Sequence, residues 1–226
     1  MLLIGHRGAA ALAAENSLAA IEVASTRGVD AVELDVLRRA DGTLVLAHGP
    51  ELPPEAPTLD DALALAARLG LRVQLDVKMP GIEPGIVDAL ARSELLERSF
   101  VSSFSLSILA AFARIAPDLP RSFTYPEDRL GLTERALLRP AVRGGLAVLR
   151  AALPRRLPRW LRSVEASAAT LNVAVVSPAA IAVCHRLGAA VYVWTVNDPG
   201  LAKSLVESGI DGIITDDPGT VPGHQP

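Results

Sequence analysis

The hydrophobic pattern of the chain alternates between short runs rich in β-branched residues and longer segments with helical periodicity. Four segments with helical periodicity are each followed by a glycine and then by a short apolar run. This order is typical of a helix that ends at a glycine C-cap and leads into a strand. The pattern predicts these four helices over 17–27, 59–69, 179–187 and 201–208. Helices that alternate with strands in this way indicate βα units around a parallel sheet.

The same pattern predicts eight strands of the βα type and one additional strand. The eight strands are expected near 2–6, 31–36, 73–77, 100–104, 121–125, 170–174, 190–196 and 211–215. The additional strand, 44–48, follows a turn at Asp41-Gly42 and should pair with the second strand as a hairpin. Eight βα units in 226 residues, with no flexible or charged linker between them, predict one domain over 1–226. Its fold is expected to be a (β/α)8 TIM barrel with its active site at the C-terminal ends of the strands.

The composition is that of a globular protein, with 50% hydrophobic and 21% charged residues. The single cysteine, Cys184, can form no internal disulfide, which fits a reducing compartment. The N-terminus carries no basic leader. The longest uncharged run, 166–184, is interrupted by Asn172 and Pro178 and is too polar for a membrane span. We therefore expect a soluble, cytoplasmic protein.

The charge is uneven along the chain, because the segment 135–162 carries eight arginines and no acidic residue. The remainder carries 14 basic against 25 acidic side chains, which argues against a general nucleic-acid binder. Apolar residues recur at helical spacing between the arginines, while Gly144-Gly145, Pro154 and Pro158 predict that the segment is broken into short pieces. Two interpretations stay open for it: a peripheral contact with anionic lipid, and a barrel helix with solvated arginines.

Carboxylates occupy one face of two predicted strands. In VELDV, Glu33 and Asp35 share a face opposite the apolar residues, and Asp76 lies likewise in VQLDVK. The three carboxylates come late in two strands that should be neighbours, so we expect them to form one cluster. Such a cluster of negative charge repels itself unless protons, cationic partners or a metal neutralise it. An all-oxygen cluster favours one divalent cation, Mg²⁺ or Ca²⁺, over zinc. A purely structural ion-pair network with Arg7 and Lys78 is the alternative.

Two histidines and two cations are predicted at the same end of the barrel. His6 ends the first strand and His48 ends the return strand of the hairpin. Imidazole is suited to proton transfer near neutral pH, and Arg7 and Lys78 can bind a phosphate. Together with the carboxylates, these residue types predict a metal-assisted site for phosphoester chemistry.

These residues belong to a series of short motifs whose order resembles that of glycerophosphodiester phosphodiesterases. The resemblance extends from Ile4 to Pro218 and is weakest between about Thr124 and Leu171. In chain order the motifs are His6-Arg7-Gly8, Glu15-Asn16-Ser17, Glu33-Leu34-Asp35-Val36, Ala47-His48, Pro57-Thr58-Leu59, Asp76-Val77-Lys78, Ser103-Phe104, Trp194-Thr195-Val196-Asn197 and Gly212-Ile213-Ile214-Thr215-Asp216.

The resemblance implies a barrel enzyme that hydrolyses glycerophosphodiesters to sn-glycerol 3-phosphate and an alcohol with the help of a divalent cation. The roles it implies are an acid–base pair for His6 and His48, metal ligands for Glu33, Asp35 and Asp76, phosphate contacts for Arg7 and Lys78, and a substrate contact for Trp194. For Trp194, an inward-facing core residue is the alternative. Which histidine is the acid, and whether water or the glycerol 2-hydroxyl attacks first, stays open.

Three departures from the family pattern bear on the function. Asp76 stands where the family usually has Glu, Gly49 follows His48 where it usually has Asp, and a short Pro-rich loop replaces the usual small subdomain after this histidine. The short loop predicts a more open mouth. Two alternatives follow. The open mouth, Asp76 and the basic segment favour phospholipase D-type hydrolysis of lysophospholipids, and Gly49 and Asp76 favour a non-catalytic phosphate-binding barrel.

Overall fold

Eight parallel strands close into a barrel, with helices on its outside. The computed structural model describes residues 1–49, 51–127 and 139–221. Within these ranges the elements are β1 (Leu2–His6), α1 (Leu18–Thr26), β2 (Ala31–Arg38), β3 (Leu44–Leu46), α2 (Leu59–Arg68), β4 (Arg72–Val77), α3 (Glu83–Arg92), β5 (Ser99–Ser103), α4 (Leu106–Ile115), β6 (Arg121–Tyr125), α5 (Arg139–Ser163), β7 (Ala168–Asn172), α6 (Pro178–Arg186), β8 (Ala190–Trp194), α7 (Pro199–Glu207) and β9 (Gly212–Thr215), with short 3₁₀ turns at Leu96–Arg98 and Pro218–Thr220.

The strand pairing confirms the predicted fold. The parallel order β1-β2-β4-β5-β6-β7-β8-β9 returns to β1 and closes the barrel, while β3 pairs antiparallel with β2 as the predicted hairpin. All nine strands and the four predicted helices end within two residues of their predicted boundaries. The TIM-barrel expectation is therefore correct.

Local capping explains why the four predicted helices begin and end where they do. Their N-cap side chains accept a hydrogen bond from a backbone N–H in the first turn, and these caps are Ser17, Thr58, Ser177 and Asp198. The glycine after each helix has a positive φ, which releases the chain towards the next strand; these glycines are Gly28, Gly70, Gly188 and Gly209.

The hydrophobic core lies mainly between the strands and the surrounding helices. On β2, Val32, Leu34 and Val36 are fully buried in this outer core, so the alternating residues Glu33 and Asp35 point into the barrel. Side-chain alternation on this strand therefore delivers its carboxylates to the barrel interior.

Helix α5 corrects one sequence prediction. The glycines and prolines were expected to break the segment, yet Arg139–Ser163 forms one helix of 25 residues that contains Pro154 and Pro158. Leu153, Leu157 and Leu161, four residues apart, are at most 2% exposed. Burial stabilises by about 1.5–3 kcal/mol for each such leucine, which offsets a cost of about 3 kcal/mol for each interior proline. Residues 135–138 of the basic segment lie outside the described ranges.

The C-terminal half of α5, which contains the buried Leu153, Leu157 and Leu161, packs as the barrel-helix interpretation of the basic segment predicts. Its leucines face the core, and its sequence contains seven arginines and no acidic residue. No helix in the described part of the chain combines the length and apolarity needed to cross a bilayer.

Candidate active site

A cavity of about 530 Å³ at the C-terminal ends of the strands contains all eight sequence-predicted site residues. These are His6, Arg7, Glu33, Asp35, His48, Asp76, Lys78 and Trp194. A second opening, of about 630 Å³, lies at the opposite end of the barrel around Arg72 and Arg98, and neither histidines nor the carboxylate cluster line it. Chemistry rather than size therefore identifies the candidate site, at the end of the barrel that the sequence predicted.

The three carboxylates form one buried cluster. Asp35 and Asp76 are paired across β2 and β4, and Glu33 lies two residues before Asp35 on the same face. One oxygen of each carboxylate lies within 4.8 Å of the others. The residues are 5% or less exposed. Such a set of closely spaced oxygen donors can hold a hard divalent cation.

Lys78 and Arg7 balance part of this negative charge. The Lys78 Nζ atom lies 2.8 Å from an oxygen of Asp35 and also bonds Asp76, and the Arg7 Nε atom lies 3.2 Å from Asp35. Burial alone would raise the pKa of Asp35, but the hydrogen bond with His48 and the charges of Lys78 and Arg7 hold it well below its usual range. The alternative ion-pair network is therefore present within the cluster.

Glu33 is the least compensated of the three carboxylates. Both cations pair with Asp35 or Asp76, whereas Glu33 accepts a hydrogen bond from the backbone N–H of Arg7 at 3.0 Å. Burial and the charge of Asp35 raise the pKa of Glu33 to about 7. When Glu33 is ionised, the three carboxylates carry one more negative charge than Lys78 and Arg7 balance, and a bound cation can then take the place of the proton.

His6 is held by a network from the opposite end of the sequence. Its Nδ1 atom lies 2.6 Å from Asp216 Oδ1. Asn197 Nδ2 donates to Asp216 Oδ2 at 2.6 Å, and Asn197 Oδ1 accepts from the backbone N–H of Asp216 at 2.9 Å. We call this pair the Asn197–Asp216 clamp. Burial would lower the pKa of His6, but the Asp216 hydrogen bond and the charge of Glu33 raise it. Because the clamp holds Nδ1, the other ring nitrogen of His6, Nε2, faces Glu33 and lies 3.9 Å from Glu33 Oε2.

His48 is held less firmly than His6. Its side chain is 50% exposed, against 14% for His6, and its Nδ1 atom lies 3.2 Å from Asp35 Oδ2. Gly49 follows it, so the direct carboxylate contact of His48 comes from Asp35 rather than from the neighbouring position. The loop beyond is fixed by Arg39, whose guanidinium donates to three carbonyl oxygens within residues 53–56.

Several groups around the predicted site were not singled out from the sequence. Asn16 Nδ2 donates to Asp35 at 2.9 Å, and its side-chain oxygen accepts from the Asp35 backbone N–H. Ser102 Oγ donates to Asp76 at 2.6 Å. Asn16 and Asp216 lie in motifs of the ordered series, which was the available signal for them. Ser102 lies in an ordinary strand pattern and carried no such signal.

Beyond the charged cluster the cavity lining is mixed, with the polar residues Thr124, Glu127, Thr170 and Asn172 among apolar ones. The apolar residues Phe104, Pro126, Leu146 and Trp194 we call the apolar wall. The rings of Phe104 and Trp194 meet edge to face, with centroids 5.9 Å apart. Trp194 Nε1 is buried and has no hydrogen-bond partner among the described residues. Trp194 therefore lines the cavity and also packs as an inward-facing aromatic, which is compatible with both interpretations of this residue.

Comparison with protein families gives one match over most of the chain. A sequence model of the glycerophosphoryl diester phosphodiesterase family matches residues 6–62 and 56–220. A glycerophosphodiester phosphodiesterase of Caldanaerobacter subterraneus subsp. tengcongensis is 26% identical over 97% of this chain and 96% of its own length.

Solved structures share the same fold. A glycerophosphodiester phosphodiesterase from Parabacteroides distasonis aligns with a TM-score of 0.74 and 23% identity, over 95% of this chain and 92% of that chain. A phosphodiesterase from Oleispira antarctica, solved in complex with the product sn-glycerol-3-phosphate, aligns with a TM-score of 0.77 and 20% identity, over 98% and 95% of the two chains.

Proposed function

The chain belongs to the glycerophosphoryl diester phosphodiesterase family of phosphoric diester hydrolases, and we propose that it hydrolyses glycerophosphodiesters to sn-glycerol 3-phosphate and an alcohol. The observation that carries the proposal is the meeting of two histidines, three carboxylates and two cations in one cavity. The names of the relatives support this substrate class, as does the sn-glycerol-3-phosphate held by the structurally similar Oleispira enzyme.

The proposed cofactor is one divalent cation, Mg²⁺ or Ca²⁺, held by Glu33, Asp35 and Asp76. The fit rests on three buried carboxylates, one oxygen of each lying within 4.8 Å of the others. Burial and the neighbouring charge of Asp35 also raise the pKa of Glu33. Such a cation would polarise the phosphoryl oxygens and offset the charge that develops on them.

The residues around the carboxylate cluster are proposed to bind the phosphate, transfer protons and position His6. Arg7 and Lys78 bind the phosphate, the former through its planar guanidinium and the latter as a point charge. Of His6 and His48, one accepts the proton of the attacking hydroxyl and the other protonates the leaving alkoxide. Asp216 acts as a positioning residue, because its bond to Nδ1 leaves His6 Nε2 on the side of the cavity.

The test is release of sn-glycerol 3-phosphate from glycerophosphocholine and glycerophosphoethanolamine, with Mg²⁺, with Ca²⁺ and with chelator. We expect metal-dependent release, reduced about 10²–10⁴-fold in His6→Ala and in His48→Ala. The matched control is His185→Ala, because His185 pairs with Asp211 away from the cavity. Absence of turnover with either cation would favour the non-catalytic phosphate-binding alternative. Full activity in His6→Ala would contradict the proposed role of that histidine.

A further inference from the structure

Strand β5 contributes a hydroxyl group to the carboxylate cluster. Val101 is buried in the outer core, so the next residue, Ser102, faces the barrel interior. Ser102 is paired with Asp76 across β4 and β5 and is completely buried. Its Oγ atom donates to Asp76 Oδ1 at 2.6 Å, whereas the hydroxyl of Thr124 lies 3.4 Å from the same oxygen. Ser102 is therefore a close, uncharged donor to this carboxylate.

The charge of Asp76 fixes the direction of the hydrogen bonds behind it. As the ionic partner of Lys78, Asp76 is a carboxylate that only accepts, so Ser102 must direct its single hydrogen to Asp76. The Ser102 oxygen then accepts from Gln74 Nε2, which lies 2.9 Å away. We call these two residues the Gln74–Ser102 pair.

The orientation of Gln74 has a cost that simple packing would not explain. With Nε2 turned to Ser102, the other amide atom, Oε1, is buried and has no hydrogen-bond partner among the described residues. A buried acceptor without a donor is unfavourable. The amide is therefore held as a donor to Ser102, which keeps the Ser102 hydrogen directed at Asp76.

The two oxygens of Asp76 have partners of different mobility. Oδ2 pairs with Lys78 Nζ, which also lies 2.8 Å from Asp35 and is proposed to bind the phosphate. Lysine reaches its partners through a flexible four-carbon stem, whereas Ser102 has a short side chain fixed on a strand. When Lys78 turns to a phosphate, Ser102 still holds Asp76 Oδ1.

We propose that Ser102 is a positioning residue whose hydrogen bond, directed by Gln74, holds Asp76 in the orientation that binds the divalent cation. The inference rests on the proposed cation site and deepens it, because it names groups outside the three carboxylates that set the affinity of the site. Without this donor, the Asp76 carboxylate would be free to rotate, and ordering it would oppose cation binding.

The test is the affinity for Mg²⁺ and Ca²⁺, measured by calorimetric titration at pH 8 in the absence of substrate. We expect Ser102→Ala to bind about 10–100-fold more weakly than the wild type, as is usual when a partner of a metal ligand is removed. Ser102→Thr keeps the hydroxyl and should recover most of the affinity. Gln74→Met should show a smaller loss in the same direction.

The matched control is Ser122→Ala. Ser122 is the β6 partner of Ser102 and is equally buried, but its hydroxyl bonds the hydroxyl of Thr170 at 2.7 Å rather than a carboxylate. Both alanine variants remove one buried hydroxyl and should lose similar free energy of unfolding, so cation affinity should separate them. In the hydrolysis assay, added cation should restore the kcat of Ser102→Ala, because only affinity is lost.

The outcomes separate the positioning role from the site it rests on. If the wild type binds a cation and Ser102→Ala binds it as tightly as Ser122→Ala, the positioning role is wrong and the proposed function stands. An equal loss in Ser102→Thr would also overturn it, since the hydroxyl would then not be the group required. Wild-type affinity in Gln74→Met would contradict the part assigned to Gln74. If the wild type binds neither cation, the proposed cation site fails and the positioning role fails with it.

Discussion

The two sides of the catalytic cavity are built on different physical principles. On the ionic side, at the ends of β1, β2 and β4, charged groups fix one another through short polar contacts, as in the pairing of Lys78 with Asp35 and Asp76. On the apolar side, Leu146 and the aromatic residues are held by packing, and Trp194 Nε1 has no partner among the described residues. The side proposed to bind phosphate is therefore held by several interdependent contacts, whereas the apolar side is held by packing.

This difference predicts how each side responds to substitution. Removing one member of a buried charged network leaves another charge without a partner, which costs far more than the pair itself contributed. Changing an apolar residue at a half-exposed rim alters local contacts and little else. Substitutions on the ionic side should therefore affect activity and stability together, whereas those on the apolar wall should have smaller, local effects.

The largest effect is expected for Lys78→Met. It removes a cation proposed to bind phosphate and leaves Asp35 and Asp76 without their shared partner. We therefore predict a loss of more than about 10²-fold in kcat/KM and of about 3–5 kcal/mol in the free energy of unfolding. The measurements are steady-state kinetics and denaturant unfolding. Lys203→Met, on the exposed surface of α7, is the matched control. Wild-type stability of Lys78→Met would show that the ionic side is not an interdependent network.

A smaller effect is expected for the Asn197–Asp216 clamp. In Asp216→Asn, one amide group would face the donor of Asn197, so the ring of His6 loses its fixed orientation; we predict a fall of about 10–100-fold in kcat with KM little changed. The exchanged pair Asn197→Asp with Asp216→Asn restores donor–acceptor complementarity and should recover part of kcat.

The control for the clamp is Asp211→Asn, which alters a His–Asp pair outside the cavity. Recovery in the exchanged pair distinguishes orientation of His6 from the charge beside it. If the exchanged pair is as inactive as Asp216→Asn, the charge of Asp216 rather than its geometry is required, and the positioning role is wrong.

The third prediction concerns pH and cation binding at Glu33. Its raised pKa of about 7 means that the metal-free protein holds a proton there below pH 7, and this proton competes with the cation. Affinity should therefore rise by up to about tenfold per pH unit below 7 and level off above it. Calorimetric titration with Mg²⁺ and Ca²⁺ between pH 5.5 and 8 measures this. Glu33→Gln should bind more weakly and lose this component of the pH dependence; an unchanged profile would contradict the assignment.

The raised pKa of Glu33 also predicts how the stability of the metal-free protein changes with pH. Because Glu33 holds its proton more tightly in the folded state than in the unfolded state, metal-free protein should lose stability as pH rises from about 4.5 to about 7. Added cation should reduce this loss, since it takes the place of the proton among the carboxylates.

Much of the ionic side was predictable because it follows from alternation along strands. Glu33, Asp35 and Asp76 face the cavity because period-two alternation places their neighbours in the outer core, and the glycine-terminated helices defined the order of the strands. Contacts between distant segments were not predictable from alternation. Asp216 lies 210 residues after His6 and contacts it because β9 pairs with β1 and closes the barrel. The local pattern of polar and apolar residues does not predict which distant side chains come into contact.

The helices show where local signals fail. Helix α5 continues through Pro154 and Pro158 because tertiary packing of its leucines outweighs local propensity. Helices α3 and α4 were not predicted, because neither is followed by the glycine that marked the other four: the C-cap of α3 is Ser93 and that of α4 is Ala116. The apolar wall was missed because the contribution of Leu146 depends on how far the N-terminal part of α5 extends towards the cavity.

The central claim is that the cavity cleaves a glycerophosphodiester and leaves the phosphate on glycerol. The most direct measurement follows glycerophosphocholine by ³¹P NMR, with wild-type protein and Mg²⁺ or Ca²⁺, beside His6→Ala and a chelated sample. We expect conversion of the diester signal to that of sn-glycerol 3-phosphate, with free choline, only in the wild-type sample that contains the cation. Phosphocholine and glycerol as products, or equal conversion by His6→Ala, would contradict it.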